Sequence, residues 1–258
     1  MIRARKRFGQ HFLHDKQVLQ RIVDAVAPQP GDTLLEIGPG TGALTAALLA
    51  RVPSLDAVEI DRDLAQSLRE RWPERVRLHE GDALDFDYAA LGTQRGAKLR
   101  VIGNLPYNVS TPLLFRLLKA VDHITDLHVM LQKEVVDRMA AAAGSDDYGR
   151  LTVMLAPRLS IERLFDVGPG AFSPPPRVWS AVARLTVLPE PRFPLHPLFG
   201  PLVAAAFSQR RKTLRNSLRA MVTPEDFQAA GVDPGARPET LEPRQFAALA
   251  ALARPDGL

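Results

Sequence analysis

The sequence predicts an α/β fold, an open parallel sheet flanked by helices, with a small all-helical domain at its C-terminal end. Three observations predict it. Short apolar runs alternate with stretches of helical periodicity through the first half of the chain. The first such run, 33–37, leads into Gly38-Pro39-Gly40-Thr41-Gly42 and then an Ala/Leu-rich stretch. That is the strand, glycine loop and helix of a Rossmann-like nucleotide-binding unit. From Leu188 the texture changes: Pro189, Pro191, Pro194, Pro197 and Pro201 mark a linker, and helical segments follow it. The boundary is expected near 190, with one domain over 1–189 and a second over 190–258.

Taken in order, residues 1–14 read as a basic irregular arm. Asp15 is a candidate N-cap, and Val18, Leu19, Ile22, Val23 and Val26 recur at helical spacing until Pro28, Pro30 and Gly31 stop the helix. Strands are expected at 33–37, 55–60, 76–79, 99–102 and 127–131, and helices at 43–51, 62–71, 111–120 and 133–143. In the last of these, Lys133/Asp137 and Glu134/Arg138 stand at i,i+4 spacing. A polar loop at 144–149 precedes a helix at 150–156, a strand at 160–165, a Pro-rich loop at 169–176 and a final strand at 178–187. Beyond the linker, helices are expected at 202–221, 224–230 and 243–253.

Composition narrows the function classes. The 258 residues are 46% hydrophobic and 24% charged, which is globular, not disordered. There is no cysteine, so disulfides, cysteine zinc sites and thiol nucleophiles are excluded. No run approaches the roughly 18 apolar residues of a membrane span, and the N-terminus lacks a signal-peptide core. A soluble, cytoplasmic protein with no membrane partner is the expectation. The net charge is only +4, but it is unevenly spread. Arg3, Arg5, Lys6 and Arg7 cluster early; Arg210, Arg211, Lys212, Arg215 and Arg219 cluster late. Two separated blocks suggest a discontinuous phosphate footprint, although either block alone also reads as a solvated face.

The chemistry is expected at strand ends. In an open parallel sheet, ligands lie outside the carboxyl ends of the strands. Gly38, Glu59, Asp82 and Asn104 end successive strands there. Glycines let backbone approach a ligand, and a helix N-terminus offers free N–H groups. Glu59 can accept from ribose hydroxyls and Asp82 from an adenine amine. Asn104-Leu105-Pro106-Tyr107 forms a rigid cup, because Pro106 fixes its own φ and holds Leu105 extended. The Asn104 amide oxygen and the Leu105 or Pro106 carbonyl are acceptors at its base, and Tyr107 is an aromatic wall. Such a cup suits a planar group bearing an NH2. Each feature alone also reads as ordinary: a strand-end acid, or a turn with a packed Tyr. A nicotinamide enzyme is disfavoured, since the cup has no role in hydride transfer. His11 and His14 lack the companions a metal site needs.

These residues sit within a longer series. Arg5-Lys6-Arg7-Phe8-Gly9-Gln10, Phe12-Leu13, Glu36-Ile37-Gly38-Pro39-Gly40-Thr41-Gly42, Glu59-Ile60-Asp61, Gly81-Asp82-Ala83, Asn104-Leu105-Pro106-Tyr107-Asn108, Gln132-Lys133-Glu134, Ala171-Phe172-Ser173-Pro174-Pro175-Pro176-Arg177-Val178 and Phe207-Ser208-Gln209-Arg210-Arg211-Lys212-Thr213-Leu214 follow in order. Together they resemble the small-subunit ribosomal RNA adenine dimethyltransferases, the KsgA/RsmA type. The Arg-Arg-Lys-Thr-Leu-Arg-Asn-Ser-Leu run sets the chain apart from related antibiotic-resistance enzymes that act on large-subunit RNA. The resemblance implies a class I methyltransferase domain, S-adenosylmethionine as donor without a metal, and 16S rRNA of the 30S subunit as partner of a monomer. It implies that His11 and Leu13 close over the cofactor, Gly38 faces its methionine part, Glu59 its ribose and Asp82 its adenine, and Asn104 stands between donor and target. Tyr107 and Phe172 would hold the base, and Arg5, Lys6, Arg7, Arg210, Arg211, Lys212 and Arg215 would hold RNA. Relatives usually carry Asn where this chain has His11; His lacks the amide's paired donor and acceptor, and the alternative reading is a loop residue with only its backbone in use. An assembly factor whose binding outweighs catalysis, or an adenine methyltransferase of another RNA, remains an alternative.

Overall fold

The computed structural model describes residues 10–209 and 211–255. Its first helix, α1 (Lys16–Val26), starts where Asp15 accepts from the backbone N–H groups of Gln17 and Val18. Leu19, Ile22, Val23 and Val26 are its buried face, and Ala27 closes it in the left-handed region. Before it, Phe12–Leu13 is a short strand, β1, where an irregular arm was expected.

Strands β2 (Thr33–Ile37), β3 (Leu55–Glu59), β4 (Val76–Glu80), β5 (Leu99–Asn104) and β6 (Ile124–Gln132) alternate with helices α2 (Ala43–Leu49), α3 (Arg62–Arg71), α4 (Tyr88–Arg95) and α5 (Ser110–Lys119). Helix α4 has no counterpart in the sequence reading; Asp87 caps its start through the Ala90 N–H, and Gly96 ends it with a left-handed φ. β5 runs through Gly103 instead of stopping there. A Cβ at Gly103 would lie 2.6 Å from the Ile37 carbonyl oxygen, so only glycine lets the two strands approach that closely.

Helices α6 (Lys133–Met139) and α7 (Arg150–Leu155), then strands β7 (Leu159–Val167), β8 (Phe172–Ser173) and β9 (Ser180–Val187), complete this part. Among the described residues, seven strands form one sheet in the order β4-β3-β2-β5-β6-β9-β7. β2 pairs in parallel with both β3 and β5, β5 with β6, and β9 runs antiparallel to β6. The chain moves outward from β2 to β4, then returns to the other side of β2. That reversal opens a crevice at the carboxyl ends of β2 and β5.

The chain divides into two compact units. One runs to Val136 and includes Ile161–Val187; the other combines Asp137–Ser160 with Leu188–Leu258. A single cut near 190 therefore misplaces residues 137–160. Tyr148 and Val153 belong to the second unit's apolar cluster with Phe199, Leu202, Leu214, Leu218 and Phe246. The Tyr148 hydroxyl also donates to the Leu241 carbonyl over 2.6 Å. In this unit the expected 202–221 helix is two, α8 (Phe199–Ala206) and α9 (Leu214–Ser217), followed by α10 (Pro224–Ala229) and α11 (Pro243–Leu252).

Candidate active site

The crevice at the β2/β5 switch point is a cavity of about 340 Å³. Gly38, Glu59, Asp82, Asn104, Leu105, Pro106 and Tyr107 all line it, as do His11 and Leu13. The glycine loop makes room on one side: Gly38, Gly40 and Gly42 all have positive φ. A Cβ at Gly42 would meet the Trp72 ring at 2.8 Å, so the loop admits no side chain there.

Glu59 is held by backbone donors. Its two carboxylate oxygens accept from the N–H groups of Gly40, at 3.1 Å, and Asp61, at 2.9 Å. Burial pushes its pKa up, and these hydrogen bonds oppose the rise. Behind it, Glu36 is buried and accepts from the Thr45 hydroxyl over 2.6 Å. Burial pushes the Glu36 carboxyl up to about 7, against the Thr45 hydrogen bond, and nearby Glu59 adds to the rise. Asp82 is oriented by the Leu84 N–H, which donates to its Oδ1 at 2.9 Å.

The cup is built by β5 and the turn after it. The Leu105 N–H donates to the Met130 carbonyl, tying the turn to β6. The Asn104 amide Nδ2 donates to the His11 carbonyl over 2.9 Å. A carbonyl partner demands the NH2 end of the amide, so Oδ1 is the end turned to accept. Pro106 O is already occupied: the Val109 N–H and the Ser110 hydroxyl both donate to it, at 3.2 and 2.9 Å. Leu105 O receives no hydrogen bond from the described residues. Of the two carbonyls expected to serve, the Pro106 one is thus consumed within the turn. Asn104 Oδ1 and Leu105 O remain as a pair of acceptors for the two hydrogens of a planar amine.

Tyr107 is fixed by a 2.5 Å hydrogen bond between its hydroxyl and the Ser180 Oγ. Its pKa is raised by burial, so the ring stays neutral. The His11 ring stacks on it, with centroids 5.5 Å apart, and His11 Nδ1 bonds the Pro174 carbonyl at 2.8 Å. His11 therefore uses its backbone toward Asn104 and its ring toward Tyr107 and Pro174.

Phe172 does not do what was expected of it. It is 2% exposed and belongs to the core cluster with Leu13 and Ala171, and it does not line the cavity. The cause is β8, which pairs antiparallel with β1 in the register Leu13↔Phe172. Residues directly opposite share a face, so both side chains turn into the core. The basic residues divide. Arg5, Lys6, Arg7 and Arg210 lie outside the described residues, whereas Arg211, Lys212 and Arg215 are exposed on the second unit. Among the described residues no cluster of three or more acidic or histidine side chains could hold a metal, and no helix is long and apolar enough to cross a membrane.

Two lining residues escaped the sequence reading. Ile60 is 42% exposed, high for an isoleucine, and offers the cavity an apolar surface beside Glu59. Gln10 donates to Asp61 Oδ2 at 3.3 Å, tying the residues before β1 to the N-cap of α3. Both stand inside quoted motifs; their position next to functional acids was the available signal.

A sheet of this strand order, with an acceptor-lined turn at its switch point, defines a Rossmann-like class I methyltransferase. Comparison with known proteins narrows the class. The ribosomal RNA adenine dimethylase family matches residues 1–254, and the chain belongs to it. It is 55% identical to the ribosomal RNA small subunit methyltransferase A of Thiobacillus denitrificans over 96% of both chains. With the protein of that name from Pseudomonas aeruginosa it shares 53% identity, over 96% of this chain and 94% of that one. Among solved structures, a dimethyladenosine transferase from Plasmodium falciparum superimposes with a TM-score of 0.79 at 23% identity, covering 94% and 99% of the two chains. The 23S rRNA methyltransferase ErmE does so at 0.70 and 27%, covering 93% and 98%. Shape alone therefore does not separate this chain from an enzyme of large-subunit RNA; sequence identity does. Membership implies S-adenosylmethionine, and the backbone-held Glu59 and the glycine loop suit a ribose and a zwitterionic tail.

Proposed function

We propose that this protein dimethylates the N6 amines of two adjacent adenosines in the 3′-terminal hairpin of 16S rRNA, within the 30S subunit during its biogenesis. The observation that carries the reading is the acceptor pair of Asn104 Oδ1 and Leu105 O at the mouth of the cavity that Gly38, Glu59 and Asp82 line. When bound, S-adenosylmethionine supplies a methyl group already activated by positive charge.

The chain's own work is positioning. Glu59 accepts from ribose hydroxyls, Asp82 from the adenine amine of the cofactor, and Gly38 faces its methionine part. His11 and Leu13 form the strap above them. The target base leaves its stack to enter the cup. It rests on the face of Tyr107 that His11 leaves open, a contact worth about 1–3 kcal/mol. Asn104 Oδ1 and Leu105 O then hold both amine hydrogens, turning the nitrogen lone pair toward the donor. Holding two reactants this way lowers a barrier by on the order of 7–11 kcal/mol. Arg5, Lys6, Arg7, Arg210, Arg211, Lys212 and Arg215 bind RNA phosphates, the last four from the C-terminal unit.

The test is mass mapping of methylated adenosines after immature small subunits are incubated with the protein and labelled cofactor. Two adjacent dimethylated adenosines near the 3′ end are expected. Label elsewhere, or none, would reject the assignment.

A further inference from the structure

Trp179 is 55% exposed and Val178 is 44% exposed, in the loop between β8 and β9 whose Pro174, Pro175 and Arg177 are exposed as well. A large indole left in water has an energetic cost that burial would remove. Its place in the fold is specific. β9 begins at Ser180, in register with Gln132 at the end of β6, while Asn104 pairs Met130 one strand further in. Trp179 thus stands on the same sheet edge as the cup. Its carbonyl accepts from the Lys133 N–H at 2.9 Å, and the next residue, Ser180, bonds the Tyr107 hydroxyl at 2.5 Å. The ring is seated against Gly168: a Cβ built there would lie 3.6 Å from its six-membered edge, an ordinary van der Waals contact.

We propose that Trp179 is a stacking platform for an unpaired nucleotide next to the target adenosine, with Arg177 meeting the adjoining phosphate. The proposal rests on the reading that an RNA base enters the cup at Tyr107. A base drawn out of its stack leaves its neighbours without a partner, and a flat, seated ring one residue from the brace of Tyr107 offers one. Base–aromatic stacking tolerates any sequence, because every base has a flat face. Continuity with the cup and the exposed guanidinium of Arg177 select RNA over a protein partner.

Two measurements test this on the full chain. In steady-state methylation of immature small subunits, W179A should raise KM for the subunit by about 5- to 150-fold, the range for one lost stack. The value of kcat and the affinity for S-adenosylmethionine should hold, and W179F should recover most of the loss. The chain has two tryptophans. Titration with a single-stranded oligoribonucleotide should quench emission in the unaltered protein and lose that component in W179F. An unchanged KM in W179A, or full quenching in W179F, overturns the proposal. So does a fall in kcat with KM intact, which would make Trp179 a brace for Ser180 and Tyr107. Should the unaltered protein methylate no subunit adenosine, the parent reading fails, while the quenching experiment still decides whether the platform binds RNA.

Discussion

Asp56 is the second residue of β3 and Glu59 its last, and the two acids meet opposite surroundings. Asp56 has no exposed side-chain surface, and Arg77, His79 and Arg95 all bond its carboxylate at 2.6–3.3 Å. Burial works to raise its pKa, but those three partners outweigh it and hold the carboxyl well below the usual range. The neighbouring strands repeat the pattern at the same edge: Arg100 on β5 joins Asp126 at 2.9 Å and Asp32 at 2.6 Å. At the carboxyl edge, Glu59 and Glu36 accept from backbone N–H groups and a hydroxyl, and both are pushed up by burial. One edge of the sheet neutralises its acids with cationic side chains; the other holds them with backbone N–H groups and a hydroxyl. Burying carboxyl groups without a countercharge is costly, so acids kept that way at the ligand edge mark it as functional.

The comparison predicts that damage at the two edges separates. The largest effect is expected at the ligand edge. Asn104→Ala should lower methyl transfer by on the order of 10²–10³-fold while RNA binding and thermal unfolding hold. Unaltered turnover would remove Asn104 from the chemistry. Next comes the opposite edge. Asp56→Ala strands two guanidinium groups and an imidazole, which are themselves partly exposed, and should cost about 2–3 kcal/mol of stability in urea unfolding. Cofactor KM should stay put; a matching loss of cofactor affinity would break the division between edges. Glu59→Gln is smaller still. It should raise cofactor KM by roughly tenfold, one charge-assisted hydrogen bond, and cost about 1 kcal/mol of stability, because the amide NH2 cannot accept from one of the two backbone N–H groups that Glu59 now holds.

The ligand edge was more legible in sequence than the structural one, for a physical reason. Strand-end acids and glycines are local signals, because each follows its own apolar run. Gly38, Glu59, Asp82 and Asn104 could be read this way, and the cavity gathers all four. The partners of Asp56 come from elsewhere: the parallel register brings Arg77 opposite it, and Arg95 arrives from α4. Phe172 fails for the same reason in reverse. Its prolines suggest an exposed loop, but pairing with β1 across most of the chain turns it inward. The helix α4 was missed although Asp87 and Gly96 mark both its ends; its apolar face is too weakly periodic to stand out. The occupancy of Pro106 O was hidden too, since it depends on how the turn folds back on Val109 and Ser110.

The pH dependence of stability offers the finest test, because the two edges should slope in opposite directions. Asp56 is depressed when folded, so the native state binds fewer protons than the unfolded chain at acid pH. Its contribution is present above the ordinary carboxyl value and is lost as pH falls. Glu36 is raised from 4.5 to about 7, so the native state holds a proton that the unfolded chain has released. Its contribution is full below about 4.5 and is lost as pH rises through 7. Between pH 5 and 7.5 the unaltered protein should therefore lose about 2 kcal/mol that Glu36→Gln does not lose. The glutamine keeps an acceptor for the Thr45 hydroxyl and cannot ionise. Parallel unfolding curves for the two proteins across that range would mean that Glu36 is already charged in the folded state. The ligand edge would then carry a full negative charge at Glu36, and the contrast with Asp56 would rest on Glu59 alone.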